Sequence, residues 1–115
     1  MNQGSVFTKA LWELQKDIHQ IARQKGWYDG RPREPLELHM LICSEIAEAS
    51  ECVRRGEDPF WLKDGKPEGE LAELADAVIR ILDLCAYRNW DLGAAIEKKH
   101  TYNKTRPYRH GNKTV

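Results

Sequence analysis

The sequence predicts an all-α fold, and three observations carry that prediction. Apolar residues return at three- and four-residue spacing over four stretches of the 115-residue chain. No period-two alternation runs long enough for a strand of useful length. Gly26, Gly30, Pro32, Gly56, Pro59, Gly65 and Pro107 fall between or beyond the apolar stretches. The order is helix, helix, loop, helix, helix. The lengths suit a four-to-five-helix bundle in a single domain over residues 1–115, with 105–115 as a basic C-terminal tail. A core this small gains from association with further copies.

The first helix is expected from about residue 6 to 25. Its stripe is Val6, Phe7, Ala10, Leu11, Leu14, Ile18, Ile21 and Ala22, with Ser5 as N-cap and Gly26 beyond the last turn. His19 reads as a surface or core-edge residue. Residues 27–33 are a loop broken by Gly30 and Pro32, where Trp27 is expected to cover the end of the core or to stack on a ligand. Pro35 opens the second helix and Gly56 ends it. Its stripe, Leu38, Leu41, Ile42, Ile46, Ala49 and Val53, centres near Leu38 and Ala49, which puts Glu45 and Glu48 on its edge.

Residues 56–67 are expected to form an irregular loop carrying Phe60-Trp61. Pro67, Glu68 and Glu70 mark the start of the third helix, with an apolar stripe of Leu71, Leu74, Ala75, Val78, Leu82, Cys85 and Ala86. Glu73, Asp76, Arg80 and Asp83 fall on the opposite side, an ordinary polar face that becomes a site only if another layer, from this chain or a second one, covers it. Asp91 caps the fourth helix, which runs to about Lys104, and Pro107 stops it.

Hydrophobic residues make up 41% and charged residues 31%, and no apolar run approaches the ~20 residues of a membrane span. Met1 to Ser5 show no basic segment leading into an apolar one, so no secretory signal is expected. Cys43, Cys52 and Cys85 are odd in number and sit in helical patterns, which fits free thiols and a cytoplasmic location. The formal net charge is zero but uneven. Ten acids face four bases between Glu45 and Asp76, and six Lys or Arg with no acid follow from Lys98 onward. No nucleic-acid polymer is expected as partner, because such binders carry net basic domains.

Glu45 with Glu48, and Glu73 with Asp76, are pairs three residues apart, so each pair shares a helix face. Like charges so placed need compensation, and four oxygen donors suit Mg²⁺, with Mn²⁺ as the substitute. An ion held in this way serves phosphate chemistry, with Lys99, Lys104 and Arg106 available for the remaining phosphate charge. A di-iron bundle needs two E-x-x-H motifs, and Glu97 to His100 supplies one. No zinc spacing, P-loop or nucleophile elbow is present.

With those residues in view, the chain resembles the MazG-like all-α nucleoside triphosphate pyrophosphohydrolases, relatives of the dimeric dUTPases and the small dCTP pyrophosphatases. The family pattern is E-E-x-x-E, a variable gap, then E-x-x-D. Glu45 and Glu48 match the last two acids of the first half, and Glu73 and Asp76 the second half. The ending Lys99, Asn103, Arg106, Pro107, His110 and Gly111 matches as well, so the likeness spans roughly residues 10 to 111. Ser44 stands where the family has its first Glu, which puts one metal position in question; Glu51 and Glu70 are candidate substitutes.

The resemblance implies a bundle of the MazG-like/dimeric dUTPase type, completed as a homodimer or tetramer. It implies Mg²⁺-dependent hydrolysis of a (d)NTP to the monophosphate and pyrophosphate by water attack on the α-phosphorus. Glu45 and Glu48 would be catalytic, Glu45, Glu48, Glu73 and Asp76 would hold metal, and Lys99, Asn103 and Arg106 would contact phosphate or sugar. Trp27, His39, Trp61 and Tyr102 are the candidates for the base. The alternative, which Ser44 supports, is a non-catalytic helical module that senses nucleotides or binds a partner.

Overall fold

The computed structural model describes residues 4–115; Met1, Asn2 and Gln3, where the N-terminal stretch read above begins, lie outside them. Among the described residues the chain is mostly helical, with one small hairpin. Helix α1 spans Val6–Gln24, α2 Pro35–Arg54, α3 Glu70–Tyr87 and α4 Leu92–Lys104, and a short helical turn, α5, covers Arg109–Asn112. The helix ends follow local chemistry. Ser5 Oγ accepts the Thr8 N–H at α1, Pro35 sits in the first turn of α2, and Asp91 Oδ1 accepts the Ala94 N–H at α4. No helix is long and apolar enough to cross a membrane among the described residues.

Residues 56–67, expected to lack regular structure, contain a β-hairpin instead. Strand β1, Trp61–Lys63, pairs antiparallel with β2, Lys66–Glu68, with Lys63 opposite Lys66. Asp64 and Gly65 both have positive φ, 51° and 86°, the conformation that a two-residue Asp-Gly turn requires. Pro67 and Glu68 therefore belong to β2, and α3 starts later than expected, after Gly69. Gly69 is buried at φ 107°, and a Cβ there would lie 2.5 Å from the carbonyl oxygens of Asp58 and Pro59. The Pro59 carbonyl accepts the Leu71 N–H at 2.8 Å, fixing the hairpin base to the first turn of α3.

Helices α2 and α3 form the main contact, α1 packs on α3, and α4 packs on α1. The core is Leu38, Ala49 and Cys52 from α2 with Ala72, Ala77, Leu82, Leu84 and Cys85 from α3. Gln15 of α1 is 1% exposed and fully satisfied. Its Nε2 donates to the Trp90 carbonyl at 2.8 Å and its Oε1 accepts the Leu92 N–H at 3.1 Å, seating the start of α4. Thr8 packs against Gly93, where a Cβ would come within 3.0 Å of the Thr8 Cα.

The faces of α1 and α3 depart from their wheels. Val6, Phe7, Leu14 and Ile21 of the α1 stripe are exposed, while Thr8 and Gln15 are buried. On α3 the stripe Leu71, Leu74 and Val78 is exposed at 54%, 38% and 52%. The side expected to need a second layer is the one that α1 and α2 of the same chain cover. Arg80 of α3 bonds Glu45 of α2, and Asp83 of α3 bonds His19 of α1. Charged groups tolerate burial when each finds a partner, and these do.

Candidate functional site

Glu45, Glu73 and Asp76 come together from two helices. Each offers a carboxylate oxygen, and the three atoms lie within 4.8 Å of one another. Glu45 is buried on the edge of the α2 stripe beside Ala49 and Leu38, as its position on the wheel predicts. Glu73 and Asp76 stand one turn apart in the first half of α3. Glu48 is exposed and outside this triplet, yet near enough for its charge to act on Glu73.

The electrostatics follow from the crowding. Burial, then hydrogen bonding to Glu45, then the charges of Glu48 and Asp76 push the Glu73 carboxyl up to about 7. Burial and Glu45 also raise Asp76, while Arg80 and Lys66 oppose that shift. The Arg80 Nε–H donates to Glu45 Oε2 at 2.7 Å. A donor set made only of carboxylate oxygens, in mutual repulsion, fits a hard divalent cation as a class.

Glu45, Asp76 and Arg80 line a cleft of about 570 Å³ between α1, α2 and α3. Its lining also includes the apolar Ile18, Ile21, Leu38, Leu41 and Ile79, together with Asp17, Lys25, Trp27, Arg33 and Asp83. Trp27 is 65% exposed, so it borders this cleft rather than covering the core.

The loop that carries Trp27 is tied down by Asp83. His19 Nδ1 lies 2.8 Å from Asp83 Oδ1, and the Tyr28 hydroxyl donates to Asp83 Oδ2 at 2.6 Å. Burial and this carboxylate push the Tyr28 hydroxyl well above its ordinary value. Tyr87 stacks on Tyr28 with ring centroids 4.6 Å apart and accepts the Arg33 N–H, and the Arg33 guanidinium donates to the Trp27 carbonyl at 2.9 Å.

No protein-family model, curated protein or solved structure matches the chain.

The remaining expected site residues lie elsewhere. Lys99, Asn103 and Arg106 are on or just after α4, outside the cleft, with Lys99 and Arg106 both over the Tyr102 ring. The Trp61 indole N–H donates to Glu57 Oε1 at 3.2 Å and helps hold that carboxyl below its usual range. His39 is exposed on α2. Ser44 donates to the Leu41 carbonyl at 2.6 Å, a back-bond to its own helix. Glu51 pairs with Arg54 on the exposed surface of α2. Asp83 and Arg33 were not singled out as site residues. The one signal for Asp83 was its register, seven residues beyond Asp76 on the charged stripe of α3.

Proposed function

We propose that the protein is a Mg²⁺-dependent nucleoside triphosphate pyrophosphohydrolase of the MazG-like type. The observation that supports this most is the meeting of Glu45, Glu73 and Asp76, with Glu45 and Asp76 lining a cleft that Trp27, Lys25 and Arg33 also line. Glu45, Glu73 and Asp76 would hold Mg²⁺ (or Mn²⁺), which would supply charge neutralisation at the phosphates. Water attacks the α-phosphorus while a nearby carboxylate takes its proton; we assign this role to Glu48, which is exposed and near enough for its charge to act on Glu73. The bond from phosphorus to the bridging oxygen breaks, pyrophosphate leaves with the electron pair, and the monophosphate remains. Trp27 offers a ring face to the base, and Lys25 and Arg33 offer charge to the nucleotide.

The active unit is proposed to be a homodimer or tetramer. The exposed stripe Leu71, Leu74 and Val78 would be covered in it. Lys99, Asn103, Arg106 and Trp61 would reach a nucleotide only where a second copy brings them to the cleft. Light scattering after size exclusion tests the assembly: Leu74→Lys with Val78→Lys gives monomers, and an unchanged mass rejects the interface.

Incubation with a panel of (d)NTPs and Mg²⁺, read by pyrophosphate and monophosphate release, tests the reaction. No release from any nucleotide by folded protein rejects it. A second reading, nucleotide binding without hydrolysis, is favoured by the Ser44 hydroxyl being engaged with Leu41. Calorimetric binding without product formation would select it.

A further inference from the structure

Arg80 does not belong to the acid pattern, yet it reaches the most buried carboxylate of the cluster. Glu45 is 7% exposed, on a helix whose other buried residues are Leu38, Ala49 and Cys52. A carboxylate so placed needs a positive partner. Arg80 Nε supplies it at 2.7 Å from Oε2. Glu45 is also one of the three residues that offer an oxygen to a common centre. The same acid thus serves a resident cation and a candidate site for an incoming one.

Position makes the two roles exclusive by degree. Arg80 follows Asp76 by four residues and Glu73 by seven, so one stripe of α3 carries two acids and the cation that meets the third. A divalent ion among these oxygens would neutralise Glu45 and set a like charge beside the guanidinium. Arg80 has somewhere else to go. Its side chain is 42% exposed against 10% for Glu45, and it lines the cleft next to Asp76, Asp83 and Trp27. Of its five donors only Nε–H is engaged among the described residues.

We propose that Arg80 is an exchangeable internal cation. It holds Glu45 while no divalent cation is bound. When one binds it lets go, and its planar fork turns to a phosphate of the nucleotide in the cleft. This rests on the metal and nucleotide reading given above, and the measurements separate the two.

Mn²⁺ is titrated calorimetrically, without nucleotide, into the wild-type chain, Arg80→Gln and Arg80→Lys, and thermal unfolding is followed with and without the ion. The ion no longer displaces a cation in Arg80→Gln, so this variant binds Mn²⁺ about tenfold tighter than the wild type. It also melts lower in metal-free buffer and regains the loss when Mn²⁺ is added. At saturating metal its KM for the nucleotide rises about tenfold while kcat moves less. Arg80→Lys keeps the charge without the fork, so its Mn²⁺ affinity stays near wild type and its KM falls between the two.

Mn²⁺ binding that is unchanged or weaker in folded Arg80→Gln overturns the exchange and leaves the metal reading standing. An unchanged KM overturns the phosphate role. Binding by Arg80→Gln alone, with none by the wild type, supports the exchange. Binding by neither rejects the metal reading and the exchange together.

Discussion

Replacing Glu73 by Gln should stabilise the metal-free protein in a pH-dependent way. The Glu73 carboxyl is pushed up to about 7 from an ordinary 4.5, first by burial and then by Glu45, Glu48 and Asp76. The native state therefore holds this proton over a pH range where the unfolded chain has released it. Between those values the native state binds more protons, so stability falls as pH rises from about 4.5 through about 7 and is level above. A displacement of that size corresponds to ~3 kcal/mol at the limit. Water reaches part of the side chain, and screening leaves ~1 kcal/mol. Gln cannot ionise, so Glu73→Gln should match the wild type near pH 5 and exceed it by ~1 kcal/mol at pH 8, or about 4 °C in Tm for a chain of this size. Urea denaturation followed by circular dichroism in EDTA measures the difference at each pH, and Mg²⁺ should erase it. An advantage equal at both pH values, or a variant less stable at pH 8, would refute the electrostatic account.

Other perturbations have definite expectations. Asp76→Asn should lower Mg²⁺-dependent pyrophosphate release at least ~100-fold with an unchanged helical CD signal, since it removes a charged oxygen from the triplet. Asp83→Asn keeps the shape but weakens the acceptor that both His19 and Tyr28 use, so it should lose ~1–3 kcal/mol in urea denaturation. Gly69→Ala meets two carbonyl oxygens at 2.5 Å in a conformation that disfavours a Cβ, and should lower stability by ~2 kcal/mol or more by the same measurement.

Helix ends were legible because each is decided locally. Ser5, Pro35 and Asp91 act within one turn of their own position. The hairpin was missed because strands of three residues are too short for alternation to register. Its signal is the Asp64-Gly65 dipeptide, whose positive φ angles suit a two-residue turn. On α3 the expected stripe is inward at Leu82 and Cys85 but outward at Leu71, Leu74 and Val78. A wheel ranks residues by their own polarity and cannot see that Arg80 meets Glu45 or that Asp83 meets His19. Three of the four expected acids do converge, because two helices that pack along their length bring matching stripes together. Glu48 stays outside, since the position three residues on from Glu45 faces water once α2 has docked.

The arrangement of α3 also bears on why the acids are there. A helix selected only for stability would turn Leu71, Leu74 and Val78 inward, at ~1.5–3 kcal/mol for each side chain fully buried. This helix presents them outward, buries Ala72, Ala77, Leu82, Leu84 and Cys85, and sets Arg80 and Asp83 against Glu45 and His19. The ion pairs offset much of the desolvation, but Glu73 and Asp76 are still displaced toward their neutral forms, so the triplet remains a net burden on the isolated fold. Alanine at either position would relieve it without opening a cavity of consequence. Strain of this kind, carried by Glu73 and Asp76, is a local inconsistency that the proposed cation would relieve.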